Sequence, residues 1–150
     1  MSAATQPATG QPWYVSTSGS DSNPGTLASP FKSIEKAVSA VNAGETIYVR
    51  GGIYTLTTAI TLGKSGVENS RISLLAYPGE NPVLDFSGQP FGSSNRGIVL
   101  TGNWWHIKGL GITGAGDNGM AISGGSNNLI EQCRFWRNRD SGLQIDNGAS

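Results

Sequence analysis

Gly97-Ile98-Val99-Leu100-Thr101, Gly119-Met120-Ala121-Ile122-Ser123 and Gly142-Leu143-Gln144-Ile145-Asp146 are three versions of one short run. Their glycines lie 22 and then 23 residues apart. A second series lies between them. His106-Ile107-Lys108-Gly109-Leu110-Gly111-Ile112-Thr113 matches Leu129-Ile130-Glu131-Gln132-Cys133-Arg134-Phe135-Trp136 at an offset of 23. The turns match as well, with Asp117-Asn118-Gly119 falling on Asp140-Ser141-Gly142. A fixed period in this range marks a repeat architecture. Apolar residues alternate with period two, which is the pattern of strands. About two strands fit in each period, separated by Gly, Asn, Ser and Asp. No long amphipathic segment lies between them, so helical and leucine-rich repeats are excluded.

The fold expected is therefore all-β: a right-handed parallel β-helix of about 22–25 residues per rung. Stacked rungs place Ile98, Met120 and Leu143 in one inward row, with Leu100, Ile122 and Ile145 beside it. On the second strand, Ile107 lies over Ile130, Leu110 over Cys133 and Ile112 over Phe135. Each rung leans only on its neighbours, so the core runs continuously along the axis.

The chain has 150 residues, enough for one domain with a real core. Ten basic and ten acidic residues give zero formal net charge, which argues against non-specific nucleic-acid binding and against a strongly basic membrane surface. The 22 glycines sit within regular apolar alternation, so they read as turn-dense β-structure. One cysteine rules out an internal disulfide framework. No apolar run reaches the roughly 18 residues that a membrane helix needs.

Residues 1–12 are small and polar and lack the regions of a signal peptide. They read as a disordered lead, either what remains where a secretion signal was replaced or an ordinary ragged terminus. Trp13-Tyr14-Val15 is a strand. Ser18 to Gly25 is a dense turn with one carboxylate, Asp21, held by Asx and Ser side chains. Ser29-Pro30 reads as a helix start. Phe31, Ile34, Ala37, Val38 and Val41 follow at helical spacing, and Gly44 ends the helix. This amphipathic helix of about three turns is the cap that a solenoid needs at its first rung. The cap thus spans 13–44 and the rungs 45–150. Strands follow over Glu45–Arg50, Thr57–Leu62, Arg71–Tyr77 and Pro82–Phe86.

Two groups of residues carry a family resemblance. Trp13 to Thr26, Ser29 to Val38 and Gly44 to Tyr54 look like the opening of many secreted right-handed β-helix proteins. Arg71 to Gly88, Trp104 to Leu110, Gly116 to Met120 and Asn138 to Ile145 resemble polysaccharide lyase family 9. Its members include pectate and exopolygalacturonate lyases. The resemblance runs from Trp13 to the last residue. It implies a secreted enzyme that cleaves an acidic polysaccharide, polygalacturonate (pectate), by β-elimination. A Lys base removes the C5 proton and the C4–O bond breaks. Ca²⁺ neutralises the uronate carboxylate and stabilises the developing charge. Such an ion wants about six to eight oxygens.

The calcium rung of that family reads Asp-Asp-Gly-apolar-Asp. In the last repeat here, Asp140 matches the first position, but Ser141 and Gln144 fill the other two. In the repeat before, Asp117 matches, but Asn118 and Ala121 fill the others. Asp146 adds a carboxylate beyond the strand. Asp117, Asp140 and Asp146 are therefore weak metal candidates only, and no catalytic residue is assigned. Asp117 and Asp140 also read as turn residues whose carboxylates accept backbone N–H bonds. Lys108 faces outward on the other strand and reads as solvated. His106 lies beside Trp104 and Trp105; this cluster reads as cover for the core, with sugar stacking the alternative. Cys133 reads as a small inward core residue.

The rungs are expected to precede the calcium rungs, with the site beginning beyond Ser150. An open last rung is also a template for self-association. Three functions stay open from the residues: an N-terminal portion of a pectate lyase without its own catalytic site, a non-catalytic carbohydrate-binding or adhesin β-helix, or a lyase acting on another uronan. Fold alone does not separate them.

Overall fold

A computed structural model describes residues 10–150. Most of the N-terminal lead expected at 1–12 lies outside the described residues. The chain runs β1 (Trp13–Val15), α1 (Ile34–Ala40), β2 (Thr46–Val49), β3 (Ile53–Thr55), β4 (Ile60–Leu62), β5 (Ile72–Ala76) and β6 (Val83–Asp85). It continues through β7 (Ile98–Leu100), β8 (Trp105–Lys108), β9 (Gly111–Thr113), β10 (Met120–Ser123), β11 (Leu129–Glu131), β12 (Arg134–Trp136) and β13 (Leu143–Asp146).

These strands form three parallel sheets that wrap one core. The first sheet is β1-β2-β5-β8-β11, the second β3-β6-β9-β12 and the third β4-β7-β10-β13. A rung therefore has three strands where the sequence suggested two. The stretch His106–Thr113, read as one strand, breaks at a corner into β8 and β9. Gly109 makes that corner with a left-handed backbone, φ 80°. The alternation slips by one residue there, with Ile107 inward before the bend and Leu110 and Ile112 inward after it, but the repeat at an offset of 23 runs through the bend and made two short strands read as one.

Corners recur in register. Gly109 falls on Gln132 (φ 53°), Gly114 (φ 76°) on Arg137 (φ 54°) and Gly124 (φ 78°) on Asn147 (φ 52°). Each position demands the left-handed conformation whether or not glycine supplies it.

The inward rows are those expected. Ile60, Ile98, Met120 and Leu143 pair in the third sheet, and Leu62, Leu100, Ile122 and Ile145 lie beside them. Ile107 pairs with Ile130 and Ile112 with Phe135. Trp13, Ile47, Leu74 and Ile107 form one further row in the first sheet. Most of these side chains are fully buried, but Leu143 and Ile145 on the last strand are 37% and 60% exposed. Fully burying an aliphatic side chain contributes about 1.5–3 kcal/mol, so these rows are the main stabilising force.

The helix is shorter than expected and starts later. Ser33, not Ser29, is the N-cap, and its hydroxyl accepts from the Lys36 N–H. The reason is Asp21. Its Oδ1 accepts from the Lys32 and Ser33 N–H groups at 2.9 Å, and its Oδ2 accepts from the Ser33 hydroxyl at 2.7 Å. Burial pushes the Asp21 carboxyl up, but the bonds from Ser33 and Lys32 outweigh it and hold it below the usual range. Phe31 instead bridges Val15 in extended form. The helix stops at Val41, ahead of Gly44. Phe31, Ile34, Ala37, Val38 and Val41 are nonetheless all buried. The apolar face was legible, although only the middle of it is helical, and the helix packs against β1, β2 and β4.

Candidate functional site

Asp117 and Asp140 stack at the corner that leads into the third sheet, joined by the Asp140 N–H donating to the Asp117 carbonyl at 3.2 Å. Their carboxylates meet side chains, not the backbone N–H groups expected of turn residues. Arg96 Nε approaches Asp117 Oδ2 at 3.3 Å. Asn118, only 1% exposed, donates from Nδ2 to Asp140 Oδ2 at 3.0 Å and to Ser141 Oγ at 2.7 Å. An ion pair from a guanidinium and a hydrogen bond from an amide thus engage the two carboxylates. Asp146 lies at the far end of β13, paired with Ser123, and its Oδ1 is buried without a partner.

These residues do not fit a calcium ion. Among the described residues, no three Asp, Glu, His or Cys side chains gather as a metal site. Asn118 directs N–H donors into the corner, where Ca²⁺ needs oxygen acceptors.

Lys108 is on the outer face of the first sheet, away from this corner. Its Nζ pairs with Glu131 Oε1 at 3.2 Å, and His106 Nε2 lies 3.5 Å from the same oxygen. The Lys108 hydrogen bond, with a smaller contribution from His106, holds the Glu131 carboxyl below its usual range. Trp105 is fully buried, and its indole N–H donates to the Lys64 carbonyl at 2.7 Å. Trp104 lies 5.1 Å under the Arg71 guanidinium. Of that cluster Trp105 alone belongs to the core, while Trp104 meets Arg71 and His106 meets Glu131. Cys133 is half-buried against the core, and burial pushes its thiol up.

The structure assembles a second feature that the repeat pattern did not disclose. The outer face of the second sheet is the floor of a groove of about 800 Å³. One outward row is Ile53, Val83, Gly111 and Arg134; the other is Thr55, Asp85, Thr113 and Trp136. Gly111 leaves the first row bare. A Cβ there would come within 3.0 Å of the six-membered ring of Trp136, so the ring lies over the open backbone. From residues 86–97, the long link between β6 and β7, Ser87 and Gln89 line one side. Buried Gln89 pins that link by donating to the Arg96 carbonyl and accepting from the Gly116 N–H. Phe91, 66% exposed, carries the Arg139 guanidinium 3.7 Å above its ring. Arg137, Asn138 and Arg139 complete the lining. A long link and an arginine run were visible in the sequence, but the period alone did not say that they face each other.

A family model described as Pel9A-like, right handed beta helix region, matches residues 13–150. Pectate lyase L of Paenibacillus polymyxa (strain SC2) is 49% identical over 134 residues, which cover 88% of this chain and 29% of that protein. Pectate lyase L of Dickeya chrysanthemi is 36% identical over 146 residues, covering 92% of this chain and 34% of that protein. The crystal structure of pectate lyase Pel9A superposes with a TM-score of 0.86 at 35% identity, covering 95% of this chain and 38% of that one. The chain thus spans about a third of the length of these relatives.

Proposed function

The chain belongs to the Pel9A-like right-handed β-helix family, and from that premise we propose that it forms the N-terminal rungs of a secreted polysaccharide lyase that cleaves pectate by β-elimination. The observation that carries this reading is the 49% identity to a pectate lyase across nearly the whole chain. In this reading the described rungs are scaffold and saccharide-facing surface. The base and the calcium ion of the enzyme belong to rungs outside the described residues. The Asp117–Asp140 corner supports that division, because its carboxylates are already served by Arg96 and Asn118. The inward rows of the last rung, Leu143 and Ile145 among them, are partly exposed and also suit contact with a further layer of strand.

A chimera tests the proposal. The matching 134 residues of the Paenibacillus enzyme are replaced by this chain. Ultraviolet absorbance then follows unsaturated uronate released from polygalacturonate, with Ca²⁺ and with chelator. Calcium-dependent product from the chimera, with none from the folded 150-residue chain, is the expected result. An inactive but folded chimera, or one active only on a different uronan, would overturn it.

A further inference from the structure

Resting on the lyase reading, we propose that the groove on the second sheet binds an acidic saccharide without calcium, holding uronate carboxylates on Arg137 and Arg139 and a sugar ring on Trp136.

Two arginines and one carboxylate line the groove. Arg137 and Arg139 are exposed, and neither forms an ion pair among the described residues. The one carboxylate in the lining, Asp85, is engaged by the Ser87 N–H at 2.9 Å. Arginine presents a planar fork that matches a carboxylate with two parallel hydrogen bonds. Arg139 is set up for this. Its guanidinium sits 3.7 Å from the Phe91 ring centroid, a contact that holds the side chain at the groove.

The ring platform is equally specific. Trp136 lies in an outward row, yet Gly111 lets its ring settle across the neighbouring row. Such a ring offers a flat apolar face of the kind that packs on the C–H face of a sugar. Exposed Ile53 and half-buried Val83 extend the apolar floor along the axis.

Arg137 sits at a corner of the coil. Its corner holds φ 54°, where the preceding rung places Gly114. An L side chain is disfavoured there. Gln132 and Asn147 accept the same cost at other corners, so the strain by itself does not define a site. What distinguishes Arg137 is that it lines the groove. Arg139 in turn precedes Asp140, so a saccharide lying in the groove leads directly to the Asp117–Asp140 corner.

Isothermal titration of the chain with a galacturonate pentamer, in excess chelator, tests the proposal, with the methyl-esterified pentamer as the uncharged control. The acid form should bind, weaken as salt is raised, and bind about tenfold or more tighter than the ester. Arg137→Gly restores the residue that its corner favours, so the fold should tolerate it, and affinity should fall about tenfold. Trp136→Ala should weaken acid and ester alike. No binding, binding only with added Ca²⁺, equal affinity for the ester, or full affinity in Arg137→Gly would each overturn the proposal. An active chimera beside a chain that binds nothing would remove the groove and leave the lyase reading standing. A chain that binds beside an inactive chimera would do the reverse.

Discussion

Gly114 and Arg137 occupy one corner on successive rungs, and both hold a left-handed backbone, at φ 76° and 54°. Their surroundings differ. A Cβ on Gly114 would come within 2.6 Å of the Ser87 backbone nitrogen, whereas the Arg137 side chain has open space. Arg137→Gly should therefore stabilise the chain by about 0.5–1 kcal/mol, and Gln132→Gly should do the same. Gly114→Ala should destabilise it by about 2 kcal/mol or more, because crowding adds to the strained φ. Urea unfolding of the three variants measures both signs.

Trp105 is the largest of the fully buried side chains, and its N–H is the partner of the Lys64 carbonyl. Trp105→Phe removes that donor and leaves a void. A loss of about 2–4 kcal/mol is expected, read as a lower denaturation midpoint at unchanged slope. A loss below about 1 kcal/mol would show that the core refills the space.

Glu80 accepts from Arg50 at 2.8 and 2.9 Å and from the Gly51 N–H at 2.7 Å. The Arg50 hydrogen bond, aided by Gly51, holds its carboxyl at about 2 against an ordinary 4.5. A carboxyl depressed in the folded state contributes stability above its unfolded value and loses it as pH falls through the folded one. The melting temperature of the native chain should drop toward that of Glu80→Gln as pH falls from 4.5 to about 2. Curves that stay parallel across this window would show that the pair contributes nothing.

Calcium should leave the chain unchanged. With Arg96 and Asn118 serving the two carboxylates, no rise in melting temperature is expected up to about 1 mM Ca²⁺, the weak end of protein calcium sites. A rise that disappears in Asp140→Asn would place a metal at this corner after all.

The outer edge of β11, β12 and β13 has no strand partner among the described residues, and Ile145 is 60% exposed on it. Such an edge pairs readily with another copy. Sedimentation of the 150-residue chain should show concentration-dependent association, reduced by Ile145→Lys. A monomer at all concentrations would exclude this edge as a contact.

The period of 22 and 23 residues was enough to name the β-helix, its inward rows and the outward placement of Lys108. Side-chain alternation is a local property, and repetition converts it into stacking without further information. Three strands per rung were hidden because the match at an offset of 23 runs across the Gly109 corner and both strands that flank it, so His106–Thr113 read as one run. The helix start was missed because Ser29-Pro30 has the right local chemistry, while Asp21, remote in sequence, selects Ser33.

The sequence by itself therefore determined the architecture and the rows of the core, since each depends on patterns that repeat along the chain, while the family was legible only as a resemblance carried by particular motifs. Tertiary structure alone decided what surrounds Asp117 and Asp140, and that Trp136, Arg137 and Arg139 share a groove with Ile53, Val83 and Asp85. Those meetings join residues on different rungs and on a link outside the repeat. Their distances are set by how the coil closes around its core, a geometry that no single stretch of sequence carries.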